Sequence, residues 1–237
     1  MDDLDGSGHD PPGDEPGPVD ADERRGRKQL RYVRHSPGLE FDRVAFFSDA
    51  VFAIAMTLLV VGVGIPHVAD SGLSKALSSK RPEITAFFIS FVVIGNYWLS
   101  HHRFVAHLSA ASPRLMLWNL VYLAVIAFTP YPTALTGIYE DQPISVVMFA
   151  VTLGIASGLE AVMFYVAHAD KLFTTELPLN VVRWSILAAM IPVAVFFLSI
   201  PIAFFDTGLA LLSWILIFPL EFALDRRLKP DEADELL

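Results

Sequence analysis

The sequence predicts an all-α polytopic membrane protein with six transmembrane helices, and three observations lead to that class. Of the 237 residues, 54% are hydrophobic and only 18% are charged, whereas soluble domains carry about 25% charged residues. The mean hydropathy is +0.49. The charges also gather at the two ends of the chain, because residues 41–224 hold only 11 of the 26 acidic and eight of the 17 basic residues. A bundle of membrane-spanning helices is the class that fits this distribution.

Residues 1–40 are predicted to be a disordered cytoplasmic tail that is first acidic and then basic. Residues 1–23 carry nine carboxylates and no Lys or Arg, and Pro and Gly interrupt them, which is a composition typical of disorder. The basic block that follows contains Arg24, Arg25, Arg27, Lys28, Arg31 and Arg34. It is interpreted as a topology anchor, with a site for lipid headgroups or a partner as the alternative. The net charge of -9 comes largely from the tails, so it does not indicate a nucleic-acid partner.

Six apolar segments are long enough, or nearly so, to cross about 30 Å of hydrocarbon. They are Phe46–Pro66, Ile84–His102, Leu115–Gly137, Ile144–His168, Val182–Phe205 and Gly208–Leu224. Only Asp206 and Thr207 separate the last two segments, which are therefore expected to form a tight hairpin. We expect Pro192 and Pro201 to kink the fifth segment. Residues 41–224 thus form one predicted transmembrane domain, and residues 225–237 form a second, short cytoplasmic tail.

The distribution of Lys and Arg predicts the orientation. With the N-terminus inside, fourteen of these residues lie on the cytoplasmic side, against Lys75, Lys80 and Arg81 outside. We therefore expect an integral protein of the cell (inner) membrane with both termini in the cytoplasm.

This orientation places polar side chains of three segments in one layer near the cytoplasmic surface. The layer contains Arg43, Ser48 and Asp49 of the first segment, Asn96, Trp98, His101 and His102 of the second, and Arg114, Trp118 and Asn119 of the third. Polar groups at membrane depth are costly unless they bind one another. We expect an Arg43–Asp49 ion pair, with the histidine and asparagine groups as its partners.

Two interpretations of this layer remain open. It can be a hydrogen-bonded clamp that fixes how the first three helices pack, or a protonation relay, since histidine titrates near neutral pH. A metal site is not expected, because His101 and His102 are adjacent and point about 100° apart on a helix. The chain has no cysteine, and no nucleophile–base pair or phosphate loop occurs, so an enzyme is not predicted. Deeper in the membrane, Glu160 is expected to pair with Arg183.

The first segment carries an apolar stripe along one helical face. At 100° per residue, Ala50, Thr57, Leu58, Val61 and Ile65 all lie within about 60° of Ile54. Ser48 and Asp49 point about 120–140° away from it. By itself the stripe fits either ordinary helix packing or the lining of a pore.

Several motifs in residues 42–137 resemble the transmembrane-protein-175 potassium channel family. Arg43, Phe47, Ser48 and Asp49 match the family's R-x-x-x-F-S-D signature, and the residues that follow are similar to its first helix. The segment Tyr97–Phe104, which contains Trp98, His101, His102 and Arg103, resembles the second helix. Trp118-Asn119 and Pro130-Tyr131-Pro132 resemble the third. The signature combined with the second-helix motif is the specific part of this likeness.

The resemblance implies a homotetramer in which the first helix lines a central pore. It places a hydrophobic constriction at Ile54 and the family's threonine at Thr57, and the stripe adds Leu58 and Val61 to the pore-lining residues. It also implies a packing and gating network formed by Arg43, Phe47, Ser48, Asp49, Trp98, His101, His102 and Asn119. The sequence lacks Thr-Val-Gly-Tyr-Gly, so a cage of backbone carbonyls is not predicted.

The function expected from these observations is a potassium-preferring cation channel without a cofactor or bound metal. Its expected partners are further copies of itself, membrane lipid, and potassium and other monovalent cations. The alternative is a proton-coupled secondary transporter or proton channel that uses Asp49 with His101 or His102. A non-conducting scaffold is the third class.

Overall fold

The computed structural model describes residues 37–66, 68, 72–230 and 233, with side chains from Phe41 onward. Residues 1–36 of the predicted acidic and basic tail lie outside these residues, whereas residues 37–40, which were predicted to be disordered, are helical. Residues 225–230 and 233 of the predicted second tail are described, and the helix Ile217–Leu228 includes the first four of them. Residues 1–40 and 41–237 form two units, and the description below concerns the second. Among the described residues, six helices are long and apolar enough to cross a membrane: Phe41–Val63, Arg81–Ala106, Pro113–Ile138, Pro143–Ala169, Leu179–Ala203 and Thr207–Leu228. We call them the first to sixth spans, and the number and order agree with the prediction.

The α-helix of the first span, Pro37–Leu58, begins four residues before the span, and a 3₁₀ turn, Leu59–Val63, completes the span. Gly64 ends it with φ of 62°, a left-handed conformation that glycine adopts without steric cost. A short helix, Leu73–Ser79, leads to the second span, which is one helix. We call the end of the bundle at which the first span begins the inner end.

The third span consists of two helices, Pro113–Phe128 and Pro130–Ile138. The Ser112 side chain caps the first of them by accepting a bond from the Leu115 amide at 3.1 Å. The break at Thr129 has a local cause, since Pro130 has no amide hydrogen to continue the helical ladder.

The fourth span, Pro143–Ala169, lies at the centre of the bundle. Within its most apolar window 61% of the residues are buried, against 11% in the sixth span. The fifth span, Leu179–Ala203, packs along the fourth, and its helix continues through both prolines that were expected to kink it. Residues 204–206 connect the fifth and sixth spans as the predicted tight hairpin. The Asp206 carboxylate caps the sixth span by accepting from the Leu209 amide at 2.8 Å.

At the inner end, the loop after the second span is hydrogen-bonded to the loop after the fourth. The Ser109 amide donates to the Leu172 carbonyl at 2.8 Å, and the Thr174 amide donates to the His107 carbonyl at 2.9 Å. These bonds flank a single antiparallel bridge between Leu108 and Phe173. The ends of the second and fourth spans are therefore fixed relative to one another.

Candidate functional site

A buried chain of hydrogen bonds joins the first three spans near the inner end. The Asn119 Nδ2 group donates to Ser48 Oγ at 3.0 Å, and Asn119 Oδ1 lies 2.8 Å from His101 Nε2. Ser48 Oγ in turn donates to the Val44 carbonyl at 2.9 Å. All three polar residues are buried. Asn119 thus bridges the first and second spans from its position on the third.

A second polar contact lies beside this chain. Trp98 Nε1 donates to Asp49 Oδ1 at 2.8 Å, which ties the first span to the second. The Trp98 ring stacks on His102, with centroids 5.4 Å apart. Adjacent histidines therefore serve different contacts, as their separation of about 100° on a helix requires.

The expected Arg43–Asp49 ion pair is wrong within one chain, because no ion pair joins these two described residues. Six residues along a helix correspond to about 9 Å of rise and a turn of about 120° from the same face. The two side chains consequently leave the helix on different faces. Arg43 is exposed, while Asp49 turns toward the bundle and binds Trp98.

The other members of the predicted layer lie at its border. Asn96 is exposed on the single chain, and Trp118 is 36% exposed. Phe47, which the family resemblance adds to the network, is 52% exposed. Arg114 Nη1 pairs with Asp170 Oδ1 at 2.9 Å, and the second oxygen of that carboxylate accepts from Ser112 at 2.6 Å.

The predicted stripe of the first span is exposed on the single chain. Ile54 is 57% exposed, Leu58 46% and Val61 71%, and Thr57 is exposed as well. The opposite face packs into the core through Phe52, Ala55 and Leu59. The first span therefore has one face held by the bundle and one apolar face that its own chain leaves uncovered.

Sequence reasoning missed two tyrosines that extend the polar contacts into the fourth span. Tyr97 contacts the Leu153 carbonyl at 2.9 Å and Ser157 Oγ at 2.7 Å, and the Tyr122 hydroxyl donates to Glu160 Oε1 at 3.0 Å. The sequence could have indicated these contacts, because both tyrosines lie inside otherwise apolar segments and a buried tyrosine hydroxyl usually has a hydrogen-bond partner.

The expected Glu160–Arg183 pair is also wrong, because no ion pair joins these described residues. Glu160 lies nine residues from the inner end of its span, and Arg183 lies four residues from the end of its own. At 1.5 Å per residue the two differ in depth by about 7 Å.

Within the described ranges, no three His, Asp or Glu side chains converge in a way that could hold a metal ion. The polar side chains instead form contacts between helices, and two of these contacts, Asn119–Ser48 and Trp98–Asp49, hold the buried face of the first span. The fold and this site define a helical membrane protein whose first span is bound to the bundle on one face and exposed on the other.

Comparison with known proteins agrees with this description. A family model described as the endosomal/lysosomal potassium channel TMEM175 matches residues 43–130. A potassium channel of Streptomyces collinus is 36% identical over 140 residues, which cover 56% of this chain and 68% of that protein. The endosomal/lysosomal proton channel TMEM175 of Homo sapiens is 33% identical over 118 residues, covering 46% of this chain and 23% of that protein.

Among solved structures, the crystal structure of a lysosomal potassium-selective channel TMEM175 homolog from Chamaesiphon minutus superposes with a TM-score of 0.66. Its sequence is 25% identical, and the match covers 81% of this chain and 99% of that one. The chain belongs to the TMEM175 family, which is a family of ion channels and not of enzymes.

Proposed function

We propose that four copies of this chain form a potassium-preferring cation channel and that the exposed stripe of the first span lines its pore. The observation that carries the proposal is the exposure of Ile54, Leu58 and Val61 on a helix whose opposite face is buried. Family membership and the potassium channel of Streptomyces collinus support it. Four stripes around one axis would give the pore an apolar wall.

In this arrangement Ile54 forms the constriction. A ring of branched side chains offers no group that replaces the water shell of an ion, so it blocks conduction by dewetting when narrow and conducts when it widens. Thr57 lies about one helical turn further along the same stripe. Its hydroxyl donates to the Ile54 carbonyl at 2.8 Å, so its hydrogen is engaged and its oxygen lone pairs can face a cation. Such a ring favours the more weakly hydrated cation, with modest selectivity.

Behind this wall, the Ser48–Asn119–His101 chain and the Asp49–Trp98 bond hold the first span against the bundle. We assign them the role of the packing and gating network, because a change in the position of the first span would have to break or rearrange them. Arg43 and Phe47 lie exposed at the inner end, where a neighbouring subunit could contact them. The charge distribution supports a cell-membrane protein with cytoplasmic termini, so that the inner end faces the cytoplasm.

The test replaces Ile54 by Asn and measures potassium and sodium currents in planar bilayers. Carboxamides at the constriction would lower the wetting barrier, so both currents should rise and become more alike. Thr57→Ala should instead reduce the preference for potassium over sodium without lowering the barrier that the Ile54 ring presents to ions in the closed state. Ala53→Asn is the matched control, because it places the same carboxamide one residue earlier and about 100° around the helix. Unchanged currents and selectivity in Ile54→Asn would refute the proposed pore.

Proton conduction is the second candidate, favoured by the name of the Homo sapiens relative, a proton channel. A liposome flux assay separates the two candidates. Potassium flux driven by voltage alone supports the potassium channel, and proton flux driven by voltage alone supports a proton channel. Potassium flux that requires a proton gradient supports proton-coupled transport through Asp49 with His101 or His102. Purified protein without any flux would support the scaffold.

A further inference from the structure

Glu160 is a carboxyl group in the membrane without a cationic partner. It lies nine residues from the inner end of the fourth span, at a depth of about 13 Å. Its Oε1 atom accepts the hydroxyl of Tyr122 at 3.0 Å, and no Lys, Arg or His of the described chain forms an ion pair with it. An ionisable group at this depth is expensive and points to function.

Among the described residues, no cation of the surrounding helices pairs with Glu160, and Arg226 and Arg227 of the sixth span are exposed near its inner end. The second span contributes Tyr97 and Ser100, the third contributes Tyr122, and the sixth contributes a second carboxyl, Glu221, close enough to interact electrostatically. The fifth span has a single charged residue in its sequence, Arg183, which is exposed and lies nearer the inner end. The first span's carboxylate, Asp49, is bound by Trp98. The hydroxyls of Tyr122 and Ser100 are therefore the hydrogen-bond donors to Glu160, and Tyr122 is the one whose ring also contacts the first span.

Tyr122 also packs against the first span, through the ring of Phe52. Its ring lies parallel to His101, with centroids 5.6 Å apart and planes 8° apart, and it contacts the Phe52 ring at 6.0 Å. Phe52, His101 and Tyr122 are 0%, 3% and 0% exposed, so none of the three can move without displacing the others. Phe52 precedes Ile54 by two residues.

We propose that Glu160 is a positioning residue for the conduction pathway and that it acts through Tyr122 on Phe52 and the first span. The ionised carboxylate accepts a charge-assisted hydrogen bond, about twice as strong as the bond to a neutral carboxyl. Gain or loss of a proton at Glu160 therefore changes how firmly Tyr122 is held, and the packing behind the pore-lining helix changes with it. The proposal rests on the proposed potassium channel function.

The test measures potassium flux into liposomes at equal internal and external pH between 5 and 8. In the wild type we expect flux to change by about fivefold across this range, from the difference between neutral and charge-assisted hydrogen bonds. Glu160→Gln keeps an oxygen for Tyr122 but cannot titrate, and Tyr122→Phe keeps the carboxyl but lacks the connecting hydroxyl. Each should remove most of this pH dependence, and the double variant should remove no more than either alone. Glu176→Gln, in an exposed loop at the inner end, should retain it.

The outcomes are distinguishable. Wild-type protein without potassium flux at any pH would overturn the proposed function. Wild-type flux that is independent of pH, or a Glu160→Gln profile that matches the wild type, would overturn the inference alone. A flat Glu160→Gln profile together with an unaltered Tyr122→Phe profile would show that Tyr122 does not transmit the effect. Should Glu160→Gln fail to assemble, Tyr122→Phe, which loses a single oxygen atom, decides the question.

Discussion

Replacing Asn119 by Leu, which keeps the number and branching of the side-chain heavy atoms, should strongly lower the free energy of unfolding. Asn119 makes two side-chain contacts, one with Ser48 and one with His101. Ser48 keeps a partner in the Val44 carbonyl, but His101, which is 3% exposed, loses the oxygen that faces its Nε2 atom. Hydrogen bonds between membrane helices contribute about 0.6 kcal/mol each, and a buried polar group left without a partner costs about 1–3 kcal/mol.

The sum is about 2–4 kcal/mol, since the two contacts contribute about 1 kcal/mol and the unpaired imidazole contributes about 1–3 kcal/mol. For a chain of this size each kcal/mol lowers the melting temperature by about 2–4 °C, so we expect a loss of about 4–16 °C. The assay is the recovery of folded protein by fluorescence-detected size-exclusion chromatography after heating in mild detergent. Asn96→Leu, which changes an exposed asparagine of the second span, is the control and should melt close to the wild type.

The companion variant adds His101→Phe to Asn119→Leu. Replacing both partners of a polar contact by apolar groups of similar shape can be nearly neutral, and a phenyl ring keeps the stacking on Tyr122. The double variant should therefore melt at a higher temperature than Asn119→Leu alone. If Asn119→Leu melts within about 1 °C of the wild type, or if the double variant loses more than the two single variants combined, the clamp does not stabilise the bundle in the way described.

Two further predictions concern packing and topology. A Cβ atom on Gly137 would lie 2.8 Å from the Glu83 Cα atom. Because a backbone atom cannot rotate away, Gly137→Ala should lower the free energy of unfolding by about 1–3 kcal/mol. Gly95→Ala is the control: its Cβ atom would have nothing within 4 Å, so the variant should be neutral or slightly stabilised in the same thermal assay. Reporter fusions after Asp141 should be active outside the cytoplasm and fusions after Ala110 inside it, and a cytoplasmic signal at Asp141 would contradict the charge-based orientation.

Hydropathy predicted the six spans because each must cover the hydrocarbon with its own residues, whatever the other helices do. It placed most of the span ends within a few residues. The exception is the first helix, which begins at Pro37, nine residues before the predicted apolar segment begins at Phe46. Depth along each span likewise grouped Ser48, His101 and Asn119, which the structure brings together.

Pairing was less predictable, because it depends on the direction in which each side chain leaves its helix and on which helices become neighbours. Depth alone favoured Arg43 as the partner of Asp49, yet Trp98 binds this carboxylate. Charge alone favoured Arg183 as the partner of Glu160, yet the neutral hydroxyl of Tyr122 binds this carboxyl group. In both cases the expected opposite charge was the wrong partner, since a hydrogen-bond donor at the right depth and direction costs less to bury than a second ion.

Two sets of contacts constrain the order of folding during synthesis: those between the loops after the second and fourth spans, and those between the two spans themselves. Tyr97 and Ser157 are 60 residues apart, and Ser109 and Leu172 are 63 residues apart. At about 5–20 residues per second of synthesis, the earlier partner waits for about 3–12 s before the later one emerges. During that interval the newly inserted second and third helices hold hydroxyl groups that only water, lipid headgroups or the insertion machinery can satisfy. The hydrogen bonds of Tyr97 and Ser109 can therefore form only after the fourth span has been made.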